Sequence, residues 1–129
     1  FAAPRLVSAR PLEVTEPAIR EALGDIRFVS ATYRLFRLAD RPGEEDYGHR
    51  ARYRGGLAGA EEALLLDHAT RLPAGESVAV SAETAAILAR SRLAPFVEVT
   101  EGNGMHRGPF PAADPSPFAL AKPAAGCCG

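Results

Sequence analysis

With 129 residues, a formal net charge of −1, 47% hydrophobic and 24% charged residues, the chain has the composition of soluble globular proteins and one ordinary domain's worth of core. The near-neutral charge leaves no electrostatic footprint for nucleic acid or an anionic membrane surface. No apolar run reaches the roughly 18 residues of a spanning helix, so neither nucleic acid nor membrane is an expected partner.

The only two cysteines, Cys127 and Cys128, are adjacent. They cannot staple distant parts of the fold, which argues against a secreted disulfide scaffold. No charged segment followed by an apolar one opens the chain, so a cytoplasmic protein is expected. Phe1 in place of a Met points to a fragment or a processed product.

Residues Pro4 to Val14 read as extended chain, with Leu6, Val7, Leu12 and Val14 interrupted by Pro11, which suits an edge strand or hairpin. Thr15 is the expected N-cap of a short helix that has Pro17 in its first turn, Ile19, Ala22 and Leu23 on one face, and Gly24 as its stop. Ile26 to Leu38 alternates as a long strand. Its two faces are equally mixed, which places it inside a sheet or at an interface.

Ala39 to Tyr47 is polar and contains Pro42-Gly43 and Glu44-Glu45-Asp46, a loop. Strands follow over His49 to Arg54, Ala63 to Asp67 and Glu76 to Val80, separated by glycine-rich turns. Ser81 caps the clearest helix, Ala82 to Arg90, where Thr84, Ile87, Leu88 and Ser91 fall at helical spacing. Pro95 ends it, and Phe96, Val97 and Val99 form a last strand. Gly102 to Gly129 is a Pro/Gly/Ala-rich tail that orders only by docking.

Several short patterns lack the context their chemistry needs. Gly102-Asn103-Gly104-Met105-His106-Arg107-Gly108 follows a strand, but its third glycine is one residue late for a dinucleotide loop. Pro109 and Pro111 then stand where the phosphate-binding helix should begin. His49, His68 and His106 show no zinc-ligand spacing, and Asp67-His68 has no nucleophile motif beside it. Glu44-Glu45-Asp46 reads as an acidic surface loop before a hard-cation site. Gly126-Cys127-Cys128-Gly129 differs: two adjacent thiols between glycines form an accessible dithiol, and soft thiolates select soft ions such as trivalent arsenic. A redox-labile tail is an equally good account of the same residues.

The string Ile26-Arg27-Phe28-Val29-Ser30-Ala31-Thr32-Tyr33-Arg34-Leu35-Phe36-Arg37-Leu38 is followed by Glu45-Asp46-Tyr47-Gly48, Leu66-Asp67-His68, Thr84 to Leu88 and Ser91 to Ala94. Together with the terminal Ala124 to Gly129, these blocks resemble, in order, the C-terminal half of S-adenosylmethionine-dependent arsenite methyltransferases. The resemblance implies an α+β chain: a small, mostly antiparallel sheet with two short helices over residues 41–101, preceded in residues 1–40 by the closing strands and inserted helix of a Rossmann-like methyltransferase core that is otherwise absent, and followed by the tail, 102–129.

It also implies that the S-adenosylmethionine site and the catalytic residues lie upstream of Phe1, so that no catalytic or cofactor-binding residue is expected in this chain. The expected partner is the remainder of the methyltransferase. The family's arsenic-binding cysteine before the Glu-Asp-Tyr-Gly string is here Glu44, a hard ligand. Cys127 and Cys128 are then the candidate As(III) ligands. Two other readings stay open at this point: a non-catalytic soft-metal module using that cysteine pair, and the C-terminal domain of a methyltransferase with another substrate.

Overall fold

The computed structural model describes residues 2–121. Strand β1 (Ala2–Leu12) and strand β2 (Phe28–Phe36) form an antiparallel two-stranded arm that runs from Arg5 opposite Arg34 to Leu12 opposite Phe28, with a one-residue register shift between Leu6 and Ser8. Helix α1 (Pro17–Leu23) fills the connection. Proline suits its first position because the missing N–H has no helical partner there, and Gly24 ends it at φ 60°, a conformation costly for any other residue. The N-cap is Glu16, one residue later than expected, and its side chain makes no capping bond.

Among the described residues the only strand neighbour of β2 is β1, so of its two expected places, inside a sheet or at an interface, the first is excluded. Phe28, Tyr33 and Leu35 stay exposed while Phe36 is buried, and α1 buries none of its residues. The mixed faces belong to an arm whose inner end alone enters the core.

That core is built on strand β3 (Arg50–Tyr53), which pairs antiparallel with β6 (Ser77–Ala79) on one side and β7 (Val97–Thr100) on the other. Strand alternation sends Ala51 and Tyr53 inward and Arg50 and Arg52 outward. Tyr53 is fully buried; its hydroxyl donates to the Ala60 carbonyl at 2.6 Å and accepts from Leu57 N–H, satisfying the one polar group its burial brings inside. β4 (Ala63–Asp67) and β5 (Thr70–Pro73) make a separate hairpin that contributes Leu64, Leu66 and Leu72. β5 was not anticipated, because four residues ending in proline carry too little alternation to register as a strand.

Helix α2 (Ala82–Arg90) lies as expected, with Ser81 Oγ accepting the Thr84 N–H. Its burial is wider than one stripe: every residue from Ala82 to Leu88 is buried, including Glu83. A 3₁₀ turn (Ala94–Phe96) carries the chain into β7. The protein is therefore a small α+β fold with antiparallel sheets and few helices. Among the described residues the sheet expected over residues 41–101 is divided into two, of three and two strands, the β1–β2 arm stands apart from both, and a third, one-turn helix α3 (Pro117–Leu120) joins the two anticipated.

The described part of the tail docks as a strap. Gly102 N–H donates to His49 Nδ1, and the segment then runs antiparallel to the Glu44–Asp46 loop through Arg107 N to Asp46 O, Asp46 N to Gly108 O and Phe110 N to Glu44 O. Beyond it, His68 Nε2 bonds the Asp114 carbonyl, Tyr33 OH donates to the Pro115 carbonyl, and α3 packs on β1 and β2. Glu44-Glu45-Asp46 is thus a paired edge and not a free acidic loop.

Candidate functional site

The arm, the small domain and the strap meet at a charged cleft of about 240 Å³, with Arg5, Arg41, Glu44 and Glu83 in its walls and residues 112–115 of the strap along one side. Arg5 reaches it because β1 enters the core at this end: Arg5 and Leu6 are its buried residues. The guanidinium donates from Nη1 to Asp67 Oδ2 at 3.0 Å and lies 2.7 Å, through Nη2, from Glu44 Oε1 and 3.9 Å from Glu83 Oε2. The Glu44 contact is short but poorly angled. Nη2 makes no directional hydrogen bond there, so that pair is held by charge.

Three elements converge on this one cation. Asp67 ends β4 and is fully buried; its other oxygen accepts the Ala69 N–H and fixes the β4–β5 turn. Glu83 stands in the first turn of α2, where a carboxylate also complements the helix dipole. Arg41 grips Glu83 through two parallel bonds, Nε to Oε1 at 2.9 Å and Nη2 to Oε2 at 3.1 Å. That hydrogen-bonded guanidinium holds the Glu83 carboxyl below the usual carboxylate range against the opposing effect of burial, with the charges of Arg41 and Arg5 adding in the same direction. Carboxylates locked in this way are charged acceptors for cations, not soft ligands.

Glu44, the residue before Glu45-Asp46-Tyr47-Gly48, is therefore committed to Arg5. The Cys127 and Cys128 candidates lie outside the described residues. Among the described residues, no group of three or more His, Cys, Asp or Glu side chains comes together as a metal site. The histidines are separately engaged: His49 with Gly102 N–H, His68 with the Asp114 carbonyl, His106 with Glu45 Oε2 at 2.8 Å. Gly102 to Gly108 runs along the Glu44–Asp46 loop without leading into a helix, so it offers no N-terminal amides to phosphates or to a methyl donor.

Sequence reasoning missed the node around Arg5. A lone basic residue between Pro4 and Leu6 was its only local signal.

The family model for the arsenite methyltransferase C-terminal domain matches residues 48–129. An arsenite methyltransferase of Aquipseudomonas alcaligenes is 41% identical over 85% of the chain and 32% of its own length. That of Mus musculus is 38% identical over the whole chain and 39% of its length. Among solved structures, an arsenic(III) S-adenosylmethionine methyltransferase from Chlamydomonas reinhardtii superimposes with a TM-score of 0.75 at 32% identity, covering 86% of this chain and 38% of that one. The chain thus spans about a third of the length of the relatives it matches. With the family model covering well over half of its residues, the chain belongs to the arsenite methyltransferase C-terminal domain family.

Proposed function

We propose that this chain is the C-terminal region of an enzyme that transfers a methyl group from S-adenosylmethionine to arsenite, and that it completes the enzyme's fold without catalysing the transfer by itself. The observation that carries this reading is the shared fold and 32% identity, over 86% of the chain, with an arsenic(III) S-adenosylmethionine methyltransferase. The methyl donor is assigned in this reading to the remainder of the enzyme, because the chain spans only about a third of the length of its relatives.

In this reading the exposed arm is the part that meets that remainder. A two-stranded ribbon with Leu12, Ile26, Phe28 and Leu35 open to water is poorly stable by itself and gains by docking. Glu44 holds the small domain to the arm through Arg5 and does not bind arsenic. Trivalent arsenic is held by thiolates elsewhere in the enzyme, with Cys127 and Cys128 as the candidates from this chain.

Incubating the whole polypeptide with arsenite, a thiol reductant and S-adenosylmethionine, and separating the arsenic species, should yield methylated arsenicals. Titration of the 129-residue chain alone with S-adenosylmethionine should show no saturable heat. No methylated arsenic from the whole polypeptide would refute the assignment. Methylation that rises strongly in a Glu44→Cys variant would instead point to a native substrate other than arsenite.

A further inference from the structure

The strap is anchored at its start by a single imidazole. Gly102 N–H donates to His49 Nδ1 at 3.0 Å, and a Cβ at position 102 would overlap the Tyr47 carbonyl oxygen, so the backbone here is pressed against the loop beneath it. Such a bond needs a free lone pair on Nδ1, which an imidazole offers only when neutral with its proton on Nε2. Protonation turns Nδ1 into a donor facing a donor.

We propose that His49 is a pH-sensitive latch for the start of the strap formed by residues 102–121: neutral, it holds that start against the loop at Tyr47, and protonated, it releases this first attachment. The three histidines make the argument specific. His68 donates from Nε2 to the Asp114 carbonyl, a bond that survives protonation. His106 faces Glu45 Oε2, and protonation strengthens that pair; both side chains are more than two-fifths exposed, so the gain is small. Only His49 is an acceptor.

The groups around it do not supply a substitute. The Tyr47 ring lies between His49, with centroids 6.2 Å apart, and His106, at 5.1 Å. Asp46 Oδ1 is occupied by Gly48 N–H, and the Arg107 guanidinium packs at Gly48. Arg50 and Glu101 flank the two bonded residues in sequence, with Arg50 bound to Ser77. From the side of α2, Val80 N–H donates to the His49 carbonyl. Acid that protonates His49 therefore costs the strap its first hydrogen bond.

Amide hydrogen exchange measured by NMR on the intact polypeptide at pH 8 and pH 5.5, corrected for the intrinsic rates, tests this. Protection at Gly102 should fall about fivefold at the lower pH, the loss of one ordinary hydrogen bond, with Arg107 and Phe110 falling in parallel. His49→Asn places a non-titrating acceptor near the Nδ1 position and should abolish the pH dependence, while His106→Gln should retain it. In the unmodified protein the Gly102 amide shift should titrate with the same midpoint as the His49 ring, a readout that needs no variant. Protection at Gly102 that is the same at both pH values, an equal fall in His49→Asn, or a Gly102 shift indifferent to the His49 titration would each overturn the proposal.

Discussion

Arg5 does for this protein what no apolar residue at its position could: it brings β1, β4, α2 and the loop at Glu44 to a single point. Its removal leaves Asp67, which is fully buried, and Glu83, nearly so, without their shared cation. A buried pair broken from one side costs about 3–5 kcal/mol, so Arg5→Ala should lower the urea midpoint sharply; a change below about 1 kcal/mol would show the node to be solvated and weak. Glu83 adds a pH signature. Its carboxyl sits below the ordinary range, chiefly because Arg41 donates to it, so its contribution is full above the unfolded carboxylate value and is lost as pH falls through the lower folded value. Melting temperatures from pH 7 down to 3 should decline more gently in Glu83→Gln than in the native chain, and identical acid limbs would remove Glu83 from the account. None of this was readable from sequence. Each partner looks like an ordinary surface charge until the fold sets Glu44, Asp67 and Glu83 around one strand residue.

Among the elements, α2 was legible because everything that specifies it is local: Ser81 capping Thr84, strong helix formers to Arg90, and proline after the end. β3, β4, β6 and β7 followed for the same reason, from short alternating runs bounded by glycine and proline. β5 was not legible because four residues ending in proline show no alternation, and the strap was not because it pairs with residues about sixty positions earlier and a proline-rich segment carries no periodicity to announce a partner. The strap's one sequence-encoded requirement is Gly102, which must lack a side chain to lie against Tyr47. Gly102→Ala therefore forces the backbone away from the loop, and overpacking of this kind costs about 1–3 kcal/mol. Limited proteolysis should then cut between residues 102 and 121 several times faster than in the native chain while β3 and α2 stay protected. Unchanged cleavage would show that the segment tolerates the shift.

At the scale of the whole molecule, the asymmetry between the two ends of the arm is the fact to explain. At the inner end Leu6 is buried and Phe36 enters the core, whereas Leu12, Ile26 and Phe28 at the outer end, together with Leu35 on the outward face beside Phe36, are 41–61% exposed, and α1 buries nothing. Fully burying one such side chain contributes about 1.5–3 kcal/mol, so a chain that kept all of them in water would forgo a large share of a typical domain's stability. On the proposed reading, docking on the remainder of an enzyme about three times as long recovers it, and this separates two kinds of substitution. Phe28→Ser with Leu35→Ser should leave the melting temperature of the 129-residue chain nearly unchanged and reduce its self-association, because neither side chain supports the small domain. The same pair in the whole polypeptide should lower both its melting temperature and its methyl-transfer rate, since the arm would no longer seat. Leu64→Ala, which opens a cavity in the core, should destabilise both forms by about 2–5 kcal/mol. If the two serines harm the short chain as much as the long one, the arm is packed by the rest of this chain and the proposed docking through it is wrong.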